Sequence, residues 1–254
     1  MTAIFPDLKD RSVFITGGGS GIGAALTDGF LAQGAKVAFV QRSDAKAFCD
    51  EMESRHGRRP LFRPCDITDI PSLKRAMDQA AEANGPISVL VNNAANDQRH
   101  AAEDVTEDYW DWCQSINLKP YFFACQHVIP GMREAGGGSI INFSSISYMM
   151  GGAGFVGYTT ANSGINGMTR SLAREFGPDR IRVNSLAPGW VLTQKQKDMW
   201  VTPEALAAHI DRQCLKDEIT PKDIVDPALF LASSSSRMMT GQALVVDAGV
   251  VVTG

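Results

Sequence analysis

A short apolar run, Ser12–Thr16, leads directly into Gly17-Gly18-Gly19-Ser20-Gly21-Ile22-Gly23, and a helix-length amphipathic segment follows at once, over about Gly21–Gln33. No other feature of the chain restricts the fold as much. Glycines let the backbone turn sharply and approach a ligand that a Cβ would keep away. The helix that follows presents unpaired N–H groups and a partial positive charge, a setting suited to a phosphate. A strand feeding a helix through such a turn is the first half of a βαβ unit.

The rest of the chain repeats that alternation. Further strands are expected at Lys36–Val40, Leu61–Cys65, Ser88–Asn92, Ser139–Phe143, Arg182–Leu186 and Leu244–Asp247. Helical patterns fall between them, at Ala45–His56, Ile70–Asn84, Glu107–Asn117, Tyr121–Arg133, Gly157–Phe176, Pro203–Arg212 and Pro221–Ala232. Alternating strands and helices predict crossover connections and a mostly parallel sheet covered on both faces. No Ser/Pro/Gly-rich linker interrupts the pattern, so residues 1–254 are expected to form one α/β domain. The stretch from Gly189 to about Asp217 is the least regular. Because it starts just past a strand's C-terminal end, it is expected to be a lid over a pocket.

Bulk properties exclude several function classes. The 254 residues carry a formal net charge of −4, which argues against a nucleic-acid partner or an anionic membrane surface. No apolar stretch reaches ~18 residues, and the segment MTAIFPDLKDR lacks the pattern of a secretory leader, so a cytoplasmic location is expected. The five cysteines, Cys49, Cys65, Cys113, Cys125 and Cys214, show no CxxC spacing and are read as small buried hydrophobes. His56, His100, His127 and His209 are scattered, and no metal site is expected.

The glycine spacing is Gly-x-x-x-Gly-x-Gly, through Gly17, Gly21 and Gly23. Asn92-Asn93-Ala94-Ala95 follows the fourth strand, and Asn117 stands in Ile116-Asn117-Leu118. Ser145 precedes Tyr158 by thirteen residues, and Pro188-Gly189 with Thr193 follows the sixth strand. Taken together, these motifs resemble the short-chain dehydrogenase/reductase family over essentially the whole chain, Ala95 in place of a glycine being a minor departure. The resemblance implies a Rossmann-type, doubly wound fold, with seven strands in the order 3-2-1-4-5-6-7, and a homotetramer. It also implies an NAD(P) site. Gly17, Ser20, Gly21, Ile22 and Gly23 would line the phosphate turn, Asp66 and Ile67 would contact the adenine, and Asn93 and Ala94 would back the cofactor. Pro188 and Gly189 would border it, while Val191 and Thr193 would fix the nicotinamide carboxamide.

The choice between NAD and NADP turns on the end of the second strand. An acidic residue there accepts the ribose hydroxyls of NAD and repels the extra phosphate of NADP. This position holds Gln41, followed by Arg42 and Ser43. A neutral residue followed by arginine favours NADP, with NAD left open.

By the same resemblance, Tyr158 is the proton acceptor, Ser145 holds the reacting oxygen and Asn117 positions a water in the proton relay. A phenol with an ordinary pKa of about 10 is a poor base at neutral pH. The family corrects this with a lysine four residues along the same helical face, whose charge lowers the phenol pKa. Here the segment reads Tyr158-Thr159-Thr160-Ala161-Asn162, so asparagine occupies the lysine position. Asn162 keeps hydrogen-bonding capacity toward a ribose hydroxyl but brings no charge. A natural chain with altered chemistry and a deliberately inactivated one both fit. The otherwise complete site favours the second.

The stretch Asn92–His100, the segment Pro188-Gly189-Trp190-Val191-Leu192-Thr193, the run Ser233–Met238 and the ending Val246-Asp247-Ala248-Gly249 resemble a subgroup of sugar dehydrogenases. Members of that subgroup oxidise aldoses at the anomeric carbon to lactones, or act on related sugar acids. Asn96, Arg99, His100 and Trp190 all leave the C-terminal ends of strands, where such sheets bind ligands, and are the expected substrate residues. Lys195 and Lys197 add positive charge to the expected lid. The alternative is a catalytically silent nucleotide-binding protein that acts as a sensor or assembly partner.

Overall fold

Successive side chains of β1 (Ser12–Thr16) point to opposite faces of a sheet, and all five residues are buried. Val13 and Ile15 enter one apolar cluster and Phe14 the other. A strand buried on both sides must lie inside a covered sheet. In the computed structural model, which describes residues 3–252, six further strands accompany it: β2 (Lys36–Gln41), β3 (Leu61–Pro64), β4 (Val89–Asn92), β5 (Gly138–Phe143), β6 (Ile181–Pro188) and β7 (Ala243–Val246). Their order is β3-β2-β1-β4-β5-β6-β7, and all six neighbouring pairs run parallel. Residues 1–2 and 253–254 of the expected 1–254 domain lie outside the described residues.

Among the described residues, ten α-helices accompany the strands. The first five are α1 (Gly21–Ala32), α2 (Lys46–His56), α3 (Ile70–Asn84), α4 (Glu107–Asn117) and α5 (Lys119–Glu134). The others are α6 (Ser147–Met150), α7 (Val156–Phe176), α8 (Gln194–Met199), α9 (Pro203–Arg212) and α10 (Val225–Ala232). Leu26 and Phe30 of α1, Met52 of α2 and Leu229 of α10 pack on one face of the sheet. Leu73 of α3, Ala124 of α5 and Leu172 of α7 pack on the other.

Local chemistry sets several of these boundaries. Asp69 caps α3 by accepting from the Ser72 N–H, and Thr106 caps α4 by accepting from the Tyr109 N–H. The helix expected over Pro221–Ala232 is two pieces: a 3₁₀ turn, Pro221–Ile224, and then α10. Pro227 is the cause. It has no N–H to bond back across the break, and is tolerated there only because it sits in the first turn of α10. Two helices escaped the sequence pattern, the single turn α6 and the six-residue α8. Four cysteines are buried as expected, whereas Cys214 is exposed. Among the described residues, no helix is long and apolar enough to cross a membrane.

Strand order reverses between β1 and β4: from β1 the chain fills the sheet outward to β3, then returns to β1's other side. The crevice at such a reversal, beyond the strands' C-terminal ends, is where open α/β sheets bind ligands.

Candidate active site

A cleft of about 840 Å³ occupies that crevice. Every residue expected to hold the cofactor lines it, from the Gly17–Gly23 turn through Arg42, Ser43, Asp66, Ile67, Asn93 and Ala94 to Pro188, Gly189, Val191 and Thr193. So do Asn117, Tyr158, Asn162, Asn96, Arg99 and Trp190. Ser145 and His100 are set back from its surface.

The glycine turn is a backbone cradle. Gly17 adopts φ +71°, in the left-handed region. A Cβ on Gly23 would collide with the Gly17 carbonyl oxygen. Asn93 fastens the cradle to the neighbouring strand by donating from Nδ2 to Thr16 O at 3.0 Å and to Gly17 O at 3.3 Å. The Thr16 hydroxyl accepts from the N–H groups of Asn93 and Ala94 at 2.9 and 3.0 Å. Ser20 stands at the N-cap of α1, yet its side chain makes no capping bond. The first-turn N–H groups are therefore left to an incoming acceptor. This shape and donor set fit a dinucleotide pyrophosphate. At the end of β2, Gln41 is occupied internally: its Oε1 accepts from Gly19 N–H at 3.0 Å and its Nε2 donates to Ser43 O and Oγ. Arg42 is exposed on the cleft rim and, among the described residues, has no carboxylate within ion-pair distance.

Tyr158 and Asn162 lie one turn apart on α7. Burial, and then the nearby Asp97 carboxylate, push the Tyr158 phenol up to about 12, although hydrogen bonding from Asn162 and Ser145 pulls the other way. Asn162 is 2% exposed, and its Nδ2 donates back to Tyr158 O at 2.9 Å. Its own carbonyl accepts from Ser144 Oγ at 3.2 Å and Asn166 Nδ2 at 2.8 Å. Ser185 Oγ donates to Asn166 Oδ1 at 2.6 Å, which ties this part of α7 to β6. The Ser145 hydroxyl accepts from Ser147 N–H at 3.1 Å. The Asn117 side chain is fully employed within the protein: Oδ1 accepts from Asn96 N–H at 2.7 Å and Nδ2 donates to Cys113 O at 3.0 Å.

Past the phenol the cleft is bounded by side chains from the 189–217 segment and from the loop after β4. Trp190 Nε1 donates to Gln196 Oε1 at 2.8 Å, and the Trp190 ring meets His209 edge-on. Arg99 lies 5.2 Å from the Phe155 ring and 5.1 Å from the Trp200 ring. His100 is occupied elsewhere. Its Nδ1 shares a 2.8 Å hydrogen bond with the Tyr109 hydroxyl, and its Nε2 lies 3.4 Å from Gly157 N–H.

The family model described as Enoyl-(Acyl carrier protein) reductase matches residues 17–251. The chain belongs to the short-chain dehydrogenase/reductase family. As an oxidoreductase of that family it uses NAD(P). It is 48% identical over 248 residues to a probable galactose dehydrogenase of Rhizobium meliloti, covering 97% of each chain. It is 45% identical over 249 residues to a D-xylose 1-dehydrogenase of Caulobacter vibrioides, covering 98% of each. Among solved structures it resembles a putative short-chain alcohol dehydrogenase from Sinorhizobium meliloti 1021, with a TM-score of 0.92 and 31% identity over 97% of this chain and 98% of that one.

Several residues of the dehydrogenase's cleft were not anticipated from sequence, and two of them are paired. Asp97 and Gln196 face each other across it, Gln196 Nε2 donating to Asp97 Oδ2 at 2.6 Å. Gln196 had a signal: Thr193 followed three residues later by glutamine is a helix-start pattern, and the Thr193 hydroxyl does accept from Gln196 N–H. For Asp97 the only hint was an acidic residue just beyond a parallel strand's C-terminal end.

Proposed function

We propose that this dehydrogenase oxidises the anomeric hydroxyl of an aldose, or the matching hydroxyl of a related sugar acid, to a lactone. The observation that carries this reading is Tyr158 facing a polar pocket of Asn96, Asp97, Arg99 and Trp190, in a cleft whose far end fits a dinucleotide. The galactose and xylose dehydrogenases among its relatives support the same substrate class. Arginine and carboxylate suit sugar hydroxyls, and a tryptophan face suits the ring. Residues 189–217 act as the lid of one catalytic domain.

Tyr158 takes the hydroxyl proton as the C–O bond becomes a carbonyl, while Ser145 hydrogen-bonds the reacting oxygen. Bound NAD(P) supplies the hydride acceptor. The free guanidinium of Arg42 selects the 2′-phosphate of NADP. Asn162 provides no charge to ionise Tyr158, so turnover at neutral pH is slow. The exposed Trp110, Trp112 and Phe122 on α4 and α5 supply apolar area for the tetrameric assembly, which we place in the cytoplasm.

The deciding experiment is a panel of aldoses and sugar acids, with each cofactor, on the protein and on its Asn162→Lys variant, read as NAD(P)H absorbance. Lactone-forming turnover with NADP is the expected result. Tight cofactor binding with no turnover in either form would instead favour a nucleotide-binding sensor, the reading that Asn162 itself suggests.

A further inference from the structure

One carboxylate receives two of the polar side chains that α8 extends over the cleft. Lys195 Nζ donates to Asp97 Oδ1 at 2.8 Å, and Gln196 Nε2 to Asp97 Oδ2 at 2.6 Å. The far end of α8 is held by the same loop, through Arg99 lying over Trp200. Six residues are too few for a helix to be stable by itself, and α8 contains no buried residue. Its seat is therefore made of these contacts together with the Trp190–Gln196 hydrogen bond.

Asp97 also faces the chemistry. It lines the cleft with Tyr158, and its side chain is only 30% exposed. Burial works against its charge, but Lys195 and then Gln196 outweigh that and hold the carboxyl below its ordinary range. Tyr158 is bordered by Ser145 after β5, Asn162 on α7, Tyr121 on α5, Phe155 with Arg99 above it, and Asp97. The charged side chains lining the cleft are Arg42, Asp66, Asp97, Arg99 and Lys195. Of the two carboxylates, Asp97 is the one whose charge pushes the phenol up. Among the described residues, Lys195 is the only cation in ion-pair contact with Asp97.

We propose that Asp97 is a positioning residue that couples lid closure to proton abstraction: it seats α8 through Lys195 and Gln196, and the lysine that seats the helix also balances the carboxylate facing Tyr158. With the lid lifted, the carboxylate stands uncompensated and opposes the phenolate. With the lid seated, Lys195 offsets part of that opposition. Lys195 thus supplies, at a distance and only with the lid seated, part of the positive charge that a cation at position 162 would supply permanently. The mechanistic role of Asp97 rests on Tyr158 being the base of a dehydrogenase.

Two variants of the full chain test this, Asp97→Asn and Lys195→Met, with Asp97→Glu as the conservative rescue. Hydrogen exchange reads the latch: amides of α8 such as Lys197, bonded to Thr193 O, are expected to exchange about ten- to a hundredfold faster in both variants. Protection is expected to return in Asp97→Glu. Tyrosinate absorbance reads the charge, taken for each variant as the difference from the same variant carrying Tyr158→Phe. The Tyr158 midpoint is expected to move to lower pH in Asp97→Asn and to higher pH in Lys195→Met. Loss of packing alone would move both the same way. Unchanged exchange in α8 overturns the latch, and midpoints that move together overturn the coupling. Neither readout needs turnover, so a chain inert on every sugar would sink the sugar-dehydrogenase reading without touching this result.

Discussion

The two ends of the cleft are built from different materials. At the cofactor end, glycines and main-chain N–H groups form the surface, and the side chains involved, such as Asn93 and Thr16, brace backbone rather than face a ligand. At the substrate end the surface consists of long side chains that meet across large sequence separations, as Lys195 and Gln196 meet Asp97. A backbone site is rigid and selects a common group, the pyrophosphate. A side-chain site is adjustable and selects a particular substrate. Asn162 sits where the two ends join, and its change is felt by the chemistry more than by either surface.

The sharpest way to probe the join is Asn162→Lys. With the phenol at about 12, very little Tyr158 is ionised at neutral pH. A lysine ammonium that lowers it by about 3 pH units is worth roughly 4 kcal/mol and about a thousandfold in turnover at pH 7, with a smaller change in cofactor affinity. With the phenolate as the proposed active form, turnover of the Asn162 protein is expected to rise about tenfold per pH unit above neutrality. Steady-state kcat across pH checks both. Equal turnover of the two forms at pH 7, or a flat profile in the Asn162 form, would show that another group does the work.

A change at Gly23 tests whether the cofactor end depends on backbone. Gly23→Ala pushes a methyl group against the Gly17 carbonyl, and neither atom belongs to a flexible side chain. Dinucleotide binding is expected to weaken by about 3 kcal/mol, with a lower Tm, by calorimetry and thermal melts. Unchanged binding would mean that the turn tolerates a side chain, and the contrast between the ends would fail.

That contrast also explains what was legible in the sequence. β1, α3 and α4 fall within the ranges read from pattern alone, because a short apolar run, an aspartate or threonine cap and amphipathic spacing are local signals. The glycine turn that lines the cleft was legible for the same reason, since it occupies one short stretch after a strand. The 189–217 segment was legible only as irregularity. Its helix α8 reads Gln-Lys-Gln-Lys-Asp-Met, with no apolar stripe, and is ordered by partners almost a hundred residues away. Asp97 was passed over because what gives it a role is Lys195, a neighbour in space alone. His100 was grouped with the substrate residues by its place after β4, but the partners that occupy its ring are supplied by α4 and α7.

Arg42 offers a smaller test, at a point where the cofactor end relies on a side chain. Arg42→Ala is expected to weaken NADP binding by about 2 kcal/mol, the loss of one charge-assisted contact, and to leave NAD binding nearly unchanged. Titration with each cofactor separates the outcomes. Equal losses would detach Arg42 from the 2′-phosphate and return the choice of cofactor to Gln41 and Ser43.

His100 gives the smallest expected effect and decides where the substrate end stops. Its ring is already engaged on both sides, by the Tyr109 hydroxyl through Nδ1 and by Gly157 N–H through Nε2, and it packs on the Tyr109 ring with centroids 4.8 Å apart. It is set back from the cleft wall and behaves as a brace between α4 and the start of α7. His100→Ala removes that brace. The Tyr109 hydroxyl is partly exposed and regains water, so the loss should be modest, about 1 kcal/mol of stability or a few degrees in Tm. The KM for the sugar should change little, because no bond to substrate is removed. A direct hydrogen bond between His100 and a sugar hydroxyl would give the opposite pattern. KM would then rise about tenfold while the melting temperature held, and the substrate end would extend one residue further along the β4 loop than the cleft wall does.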